Sequence, residues 1–291
     1  MYIQSVFKQI NENQPAKFYR DEIKSICKLN LRRNSKFNIM AIYGALNCLK
    51  DTLYKDNLSI YIASEYGCIE DLVKVLEQIN NEDLMLMPFD FLNVNTNNTG
   101  FLVAQALNTL GNNVNITSED LSFEKAFELA YFEFNTKEIK DILIGGVDES
   151  VENINNHNSI IHNLENSISK DGSSWIYIND EKENSMAKVE FFDFFTNIKE
   201  LNEYLKTIEY NIVGLNQYAK KYQDELNINK NLIFKNQDNF YGTTSAGDII
   251  DILNEKKQSS IYISLDSKKR VYLLFLKTIY GIQGKPHLLL L

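Results

Sequence analysis

The sequence is poor in the side chains on which most catalytic and metal sites are built. Histidine occurs three times in 291 residues, at His157, His162 and His287. His157 and His162 are spaced i, i+5, which does not put them on one helix face, and no His-Glu-x-x-His zinc pattern is present. Cysteine also occurs three times, at Cys27, Cys48 and Cys68, an odd number without metal-ligand spacing. This usage points to a reducing, cytoplasmic setting. Basic residues are outnumbered 30 to 39 by acids, giving a net charge of −9 and a pI near 5.0, which argues against nucleic acid as a partner. The one compact basic cluster is "KLNLRRNSK", with Lys28, Arg32, Arg33 and Lys36. It reads as a solvated face, with an anion or acidic partner as the alternative. No apolar run approaches the ~20 residues of a membrane span. The start, "MYIQSVFKQINENQ", lacks the charged and apolar regions of a secretory signal, and the terminal "HLLLL" is too short to anchor the chain.

What is present is ordinary globular composition, 44% hydrophobic and 24% charged, enough for a real core. The length fits one large domain or two halves of about 145 residues. Short apolar strands alternate with helices throughout. Residues 2–9, "LSIYIAS" (58–64), "NVNIT" (113–117) and "IKDILIGGVD" read as strands. "SKFNIMAIYGALNCLKDTL", capped by Ser35 and burying Cys48, reads as a helix. So do "IEDLVKVLEQI", "NTGFLVAQALNTLG" (stopped by Gly111) and "SEDLSFEKAFELAYFEF". Residues 149–171 are polar and aperiodic and mark a boundary between 1–150 and 165–291. The pattern then restarts. "SSWIYIND", "AKVEFFDFF", "EYNIVGL" and "NLIFKN" read as strands, and "SSIYISL" with "RVYLLFLKTI" as a hairpin. The helices between them are "TNIKELNEYLKTI", "NQYAKKYQDEL" and "SAGDIIDILNE". This predicts an α/β layered fold with a weak internal repeat.

Several constellations carry no chemistry on this reading. Glu65, Glu70, Asp83 and Asp90 read as solvated acids. "GTTSAGD" lacks the Gly-Lys-Ser/Thr end of a phosphate loop. Trp175 reads as core. Phe191, Phe192, Phe194 and Phe195 read as core, with a partner surface as the minority alternative.

Five segments together resemble the β-ketoacyl synthase family, condensing enzymes of the thiolase fold, and in particular its short divergent members in lipid and aryl polyene pathways. "LSIYIASEYGCIEDLVKVLEQI" looks like the family's strand, glycine turn and helix, with Gly67 in the turn. "LMPFDFLNVNTNNTGFLVAQAL" looks like its Pro-Phe start and glycine turn into a buried helix. "VNITSEDLSFEKAFELA" with "DILIGGVDES" looks like the nucleophile helix and the following strand. "SKDGSSWIYI" looks like the strand that opens the second half, and "FYGTTSAGDIIDIL" like the second histidine segment. The resemblance implies duplicated αβαβα layers with two mixed five-stranded sheets, the second half trimmed because 291 residues is short for the architecture.

The departures lie in the chemistry. The family needs a cysteine thiolate at the N-terminus of the central helix, where the dipole and free N–H groups favour negative charge, together with two histidines. Here the nucleophile position falls at Asp120, within one or two residues, beside Ser118 and Ser122. The first histidine position holds Gly214 and Leu215, and the second lies in Tyr241-Gly242-Thr243-Thr244. Thr117 or Ser118 is expected to cap the helix, with Glu119 and Asp120 as first-turn acids. A carboxylate held by helix N–H groups has a lowered pKa and is a poor acid or base. The resemblance therefore implies a catalytically silent subunit of chain-length-factor type, working with an active ketosynthase and an acyl carrier protein in fatty acyl, polyene or polyketide-type synthesis. The alternatives are an active acyl-thioester enzyme of acyltransferase or 3-oxoacyl synthase type using Asp120 or Ser122, and a stand-alone binding module for an acyl chain or carrier protein. No cofactor or metal is expected. A homo- or heterodimer is expected across the edge formed by Val114, Asn115 and Ile116.

Overall fold

The computed structural model describes residues 1–82, 85–136, 139–161, 168–235 and 242–279. Its strands are β1 (Tyr2–Asn11), β2 (Ser59–Ser64), β3 (Asn113–Thr117), β4 (Asp141–Asp148), β5 (Asp171–Asn179), β6 (Ala187–Phe195), β7 (Ile212–Leu215), β8 (Ser259–Leu265) and β9 (Val271–Thr278). Its helices are α1 (Ala16–Lys24), α2 (Lys36–Leu49), α3 (Ile69–Glu77), α4 (Pro88–Asn93), α5 (Thr96–Leu107), α6 (Ser122–Thr136), α7 (His157–Ile160), α8 (Ile198–Leu205), α9 (Gln217–Lys221) and α10 (Thr244–Asn254).

The strand order is β3-β2-β4-β5-β1-β6-β9-β8-β7. The first five strands form one mixed unit, with β2, β3 and β4 parallel and β5 antiparallel to both β4 and β1. The last four repeat that plan in mirror order, with β9 antiparallel to β6 and β8, and β7 parallel to β8. The strand ladders of the two units join where Tyr2 and Ile3 of β1 face Lys188 and Ala187 of β6. The chain is thus a duplication, as the alternation of the sequence suggests. The second copy is the trimmed one. Its fifth strand, expected at "NLIFKN", shrinks to a 3₁₀ turn and a single parallel bridge between Val213 and Ile233.

Three apolar clusters give the layers. One buries Ile39, Met40, Val103 and Leu107 of α2 and α5 against Ile60, Leu143 and Trp175 on the outer face of the first sheet. A central one packs Phe123, Phe127, Ile249 and Ile250 of α6 and α10 between Ile144, Ile176, Tyr262 and Leu274 of both sheets. The third sets Leu201 and Leu205 of α8 and Ala219 of α9 on the far face of the second. Helices therefore lie outside, between and outside the sheets. α10 is buried along its length, as expected. α5 is an outer helix instead, burying Gly100, Val103 and Leu107 on one side and leaving Phe101 60% exposed.

Three local readings change. The strand "SSWIYIND", expected to open the second half, is β5 and pairs with β4 and β1, so it completes the first unit. The boundary expected at 149–171 therefore falls between two paired strands of the first unit, β4 and β5, and the strand order divides the units between β5 and β6. α5 stops at Leu107 because Asn108 takes the left-handed conformation (φ +52°). Gly111, expected at that stop, instead lies where a Cβ would be 2.1 Å from the Leu58 carbonyl oxygen. Ser35 does cap α2, accepting from the Asn38 amide at 3.1 Å. Cys48 and Cys68 are both buried, and all three cysteines are free. Of the phenylalanine run, Phe192 and Phe195 are core and Phe194 is 37% exposed.

Trp175 anchors the outer layer. Its ring fills the space left by Gly44 of α2 and Gly145 of β4, where added Cβ atoms would come within 2.3 Å and 2.5 Å of it. Its indole N–H donates to Ser173 Oγ at 2.9 Å. Gly44→Ala should therefore overpack this contact and destabilise the fold by about 1–3 kcal/mol despite the better helix propensity of alanine. Urea unfolding at equilibrium measures it.

Candidate functional site

Parallel strands deliver their C-terminal ends, and the following helices their N-termini, to one edge of an α/β layer, where ligands usually bind. Here the ends of β2 and β4, the start of α6, the start of α10 and the residues after β7 meet. The side chains they bring together are acids and phenols.

Asp148, the last residue of β4, is buried at the centre. Its Oδ1 accepts from Ser64 Oγ at 2.7 Å and from the Glu65 amide at 2.8 Å. Its Oδ2 accepts from the amide and hydroxyl of Thr243, both at 2.8 Å. Burial, and then the charge of Glu65, push this carboxyl up to about 7 against the pull of the four hydrogen bonds. Glu65 is itself buried, at 6% exposure. It packs where a Cβ on Gly242 would lie 2.0 Å away, so glycine at 242 makes room for the glutamate. Tyr66 donates to the Ile160 carbonyl at 2.6 Å. Its phenol is raised, first by burial and then by Glu65. Tyr218 hydrogen-bonds Asp120, and burial followed by that carboxylate raises its phenol to about 12.

The start of α6 is built from its main chain. Residues 119–121 form a 3₁₀ turn and the α-helix begins at Ser122. Glu119 holds φ at +52°, a costly conformation for a residue with a Cβ. Ser122 is fully buried, and its Oγ accepts from the Ser118 amide and donates to the Glu119 carbonyl, both at 2.8 Å. Both sides of that hydroxyl are engaged by backbone, so it is a clasp for the turn. The Ser118 side chain makes no cap hydrogen bond. Asp120 stands with Glu119 in this first turn, and its carboxylate accepts a hydrogen bond from the Tyr218 phenol.

Of the residues singled out in the sequence, Asp120 and Gly242 share this cluster, and Ser118 and Ser122 lie at its α6 side. Gly214 does not reach it. Gly214 sits inside β7, where a Cβ would be 2.1 Å from Ile252 and 2.4 Å from Tyr262. Two residues on, the Asn216 side chain binds Leu265 and caps α9 through the Ala219 amide at 2.9 Å. Val114, Asn115 and Ile116 form the free edge of the sheet. Glu65 was expected in solvent and is in the core of the site. Asp148, Tyr66 and Tyr218 were not singled out, and Thr243 was named only as part of the second histidine segment. The available signal was an acid ending each of two apolar strands, "SIYIASE" and "ILIGGVDE". Lys36 is likewise buried, paired with Asp171 at 3.0 Å and Glu70 at 3.5 Å beside a polar cavity of about 530 Å³. Asp83, His162, Tyr241, His287 and the "HLLLL" tail lie outside the described residues. Among the described residues no group of three metal-ligating side chains is placed to hold an ion.

No family model matches the chain, and no curated protein matches its sequence. Solved structures do match. The ishigamide ketosynthase/chain length factor superposes with a TM-score of 0.73 at 10% identity, over 96% of this chain and 99% of that one. A type II PKS ketosynthase in complex with its acyl-carrier protein gives 0.69 at 13% identity, over 96% and 99%. The 3-oxoacyl-acyl-carrier-protein synthase III of Aquifex aeolicus gives 0.60 at 12% identity, over 95% and 99%. The molecule therefore has the thiolase-type fold of the ketosynthases, across essentially its whole length.

The buried acids set a pH dependence. Asp148 at about 7, Glu149 at about 8 and Asp248 at about 7 are all raised chiefly by burial. A carboxyl whose folded pKa exceeds its unfolded one stabilises in acid, and that contribution is lost as pH rises through the folded value. The melting temperature should fall between about pH 4 and about pH 8, the interval between the unfolded and folded values, and level off above it. Glu149→Gln should flatten the decline. Glu149 Oε1 accepts from the Glu70 amide at 2.9 Å, which the glutamine oxygen retains, while Oε2 has no partner among the described residues. Differential scanning calorimetry of both proteins across that range checks the sign.

Proposed function

We propose that this chain is a ketosynthase-fold subunit without condensing activity of its own, which supports fatty acyl, polyene or polyketide-type synthesis beside an active ketosynthase and an acyl carrier protein in the cytoplasm. The observation that carries the reading is the acid cluster at the start of α6 and α10. Condensation needs a thiolate, donors for a carbonyl oxygen and space for a malonyl carboxylate, all favoured by positive potential. Here Asp120 and Glu65 supply negative charge, Asp148 takes the main-chain donor at Thr243, and Ser122 is bound at both ends by backbone. A second anion entering this volume meets repulsion of several kcal/mol at low effective dielectric. The overlay on a ketosynthase/chain length factor and on a ketosynthase with its acyl-carrier protein supports the partners by fold. Among the described residues no helix is long and apolar enough to cross a membrane.

One observation favours the other reading, an acyl-thioester enzyme with altered residues. Asp148 titrates near neutrality, where a general acid or base is most effective. Activity separates the two. Purified chain given malonyl and acyl thioesters on a carrier protein should form no condensed product. Added to an active ketosynthase and the same carrier, it should change product yield or chain length. Turnover by the chain alone that disappears in Asp148→Asn or Asp120→Asn would establish the enzymatic reading.

A further inference from the structure

A second set of charged side chains lies between the start of α2 and the start of α3, apart from the acids around Asp148. Lys36, the first residue of α2, is buried, with 4% of its side chain exposed. A lysine ammonium has three N–H donors. Three acceptors take them: Asn13 Oδ1 at 3.0 Å, Asp171 Oδ1 at 3.0 Å and Glu70 Oε1 at 3.5 Å. Asp171 is satisfied in turn. It also accepts from the Ser150 amide at 2.8 Å, the Gln14 amide at 3.0 Å and the Tyr19 hydroxyl at 2.9 Å. Lys36 and Asp171 therefore neutralise each other, and the ammonium keeps no donor for a ligand.

Beside this pair opens the polar cavity of about 530 Å³, a size that suits a small ligand. Glu70 and Asp71, in the first turn of α3, line it. Glu149 stands behind Glu70. Its Oε1 accepts from the Glu70 amide at 2.9 Å, and its Oε2 is buried with no partner among the described residues. Lys74, 3.7 Å from Asp71, is the other cation of the lining, and 65% of its side chain is exposed. With Lys36 and Asp171 paired, Glu70, Asp71 and Glu149 face one solvated ammonium. Burial raises the Asp71 carboxyl despite Lys74 and the Glu149 carboxyl despite Lys36, as expected where positive charge is scarce. First-turn acids alone would be ordinary helix stabilisation. A buried carboxyl with a bare oxygen behind them is not.

The rest of the wall sets the body of the ligand. Asn13, Gln14, Asn34, Asn93 and Asn153 supply side-chain amides, each able to donate and to accept. Pro15 and Ala16 are its apolar residues, and no aromatic ring lines it among the described residues. An acyl chain would find little apolar surface to bury against. An inorganic anion, the alternative attached to the basic run that includes Lys36, meets an ammonium already taken and three acids. We propose that this cavity binds a small hydroxylated primary amine of amino-sugar size, with its ammonium between Glu70 and Asp71 and its hydroxyls on the asparagine wall. The ammonium supplies the positive charge that the cluster lacks, through charge-assisted hydrogen bonds, and the amides pair with hydroxyls in both directions. Asp148 is not in the lining, and the ketosynthase-fold reading plays no part in the argument, so the two can fail separately.

Isothermal titration calorimetry of the full chain with D-glucosamine, at about pH 7 where the amine is largely protonated, should show one saturable site. D-glucose, which has the hydroxyls without the ammonium, should bind at least about tenfold more weakly. Asp71→Asn removes a carboxylate with little change of shape and should weaken glucosamine by about tenfold. Lys74→Gln gives the sign of the site. It removes a cation that competes for Asp71, so it should tighten glucosamine by about two- to threefold, an effect that fades with added salt. Lys74 is a solvated side chain, so this variant keeps its fold, and a melting curve of each protein checks it. Equal binding of glucose overturns the proposal. So does weaker glucosamine binding in folded Lys74→Gln, saturable binding of inorganic phosphate at this cavity, or no saturable heat with glucosamine at millimolar concentration. Spermidine binding without glucosamine binding overturns it in favour of a polyamine. None of these outcomes bears on condensing activity.

Discussion

The structure turns on one carboxyl group. Asp148 ends the middle strand of the first unit, and each of its oxygens holds a different part of the molecule. One ties down the end of β2 through Ser64 and Glu65. The other ties down the start of α10, which belongs to the second unit, through both donors of Thr243. Burying a carboxyl is costly unless it is hydrogen-bonded, and four donors are what offset that cost here. The same four donors would be orphaned without it, so the penalty for losing the acid is shared by two strands and a helix from both halves. The units touch elsewhere through the central apolar layer and two residue pairs of β1 and β6. Asp148, together with the ion pair between Lys8 of β1 and Asp251 at 2.5 Å, fixes how α10 stands relative to the first sheet.

That placement explains why the surrounding chemistry is acidic without being obviously reactive. Helix N-termini and strand C-termini meet at this point, and such a meeting is a natural anion site. In this chain the anions are internal. Asp148 takes the donors of α10, Asp120 is held by Tyr218, and Glu65 fills the volume over Gly242. The raised pKa values are the signature of that arrangement. They come from burial first and from neighbouring acids second, so each added negative charge makes the next one harder to keep.

The sequence carries the layers and most of the strands because burial writes itself into periodicity. β2, β4, β8 and β9 are largely apolar runs buried on both faces, and the apolar Ile249, Ile250, Ile252 and Leu253 bury most of α10 between the sheets. What periodicity does not carry is pairing. Nothing in "SSWIYIND" says that it returns antiparallel between β4 and β1 in place of opening a new sheet, since an apolar strand has the same pattern in either position. α5 misleads for a related reason. Its exposed Phe101 has the composition of core. The site is legible only in part. An acid after an apolar strand reads as a solvated loop residue, and Glu65 becomes a buried one only because Gly242, 177 positions later, provides its space. Tyr218 and Thr243 join the cluster through tertiary contacts that leave no local mark.

Duplication followed by trimming leaves the two ends of the molecule unequal. At one end, β7 has four residues and its outer side is met by the bridge at Ile233 and the Phe234 amide donating to the Val213 carbonyl at 2.8 Å. That edge is short and partly covered, two of the ways a monomer avoids strand addition. At the other end, β3 has five residues, carries no charge and packs beside α5, which leaves Phe101 exposed. The complete copy retains its own as the end strand of the sheet. Two halves built on one plan thus differ at their outer edges: the reduced one is met by its own chain at Ile233 and Phe234, and at the other end β3 pairs with β2 alone among the described strands.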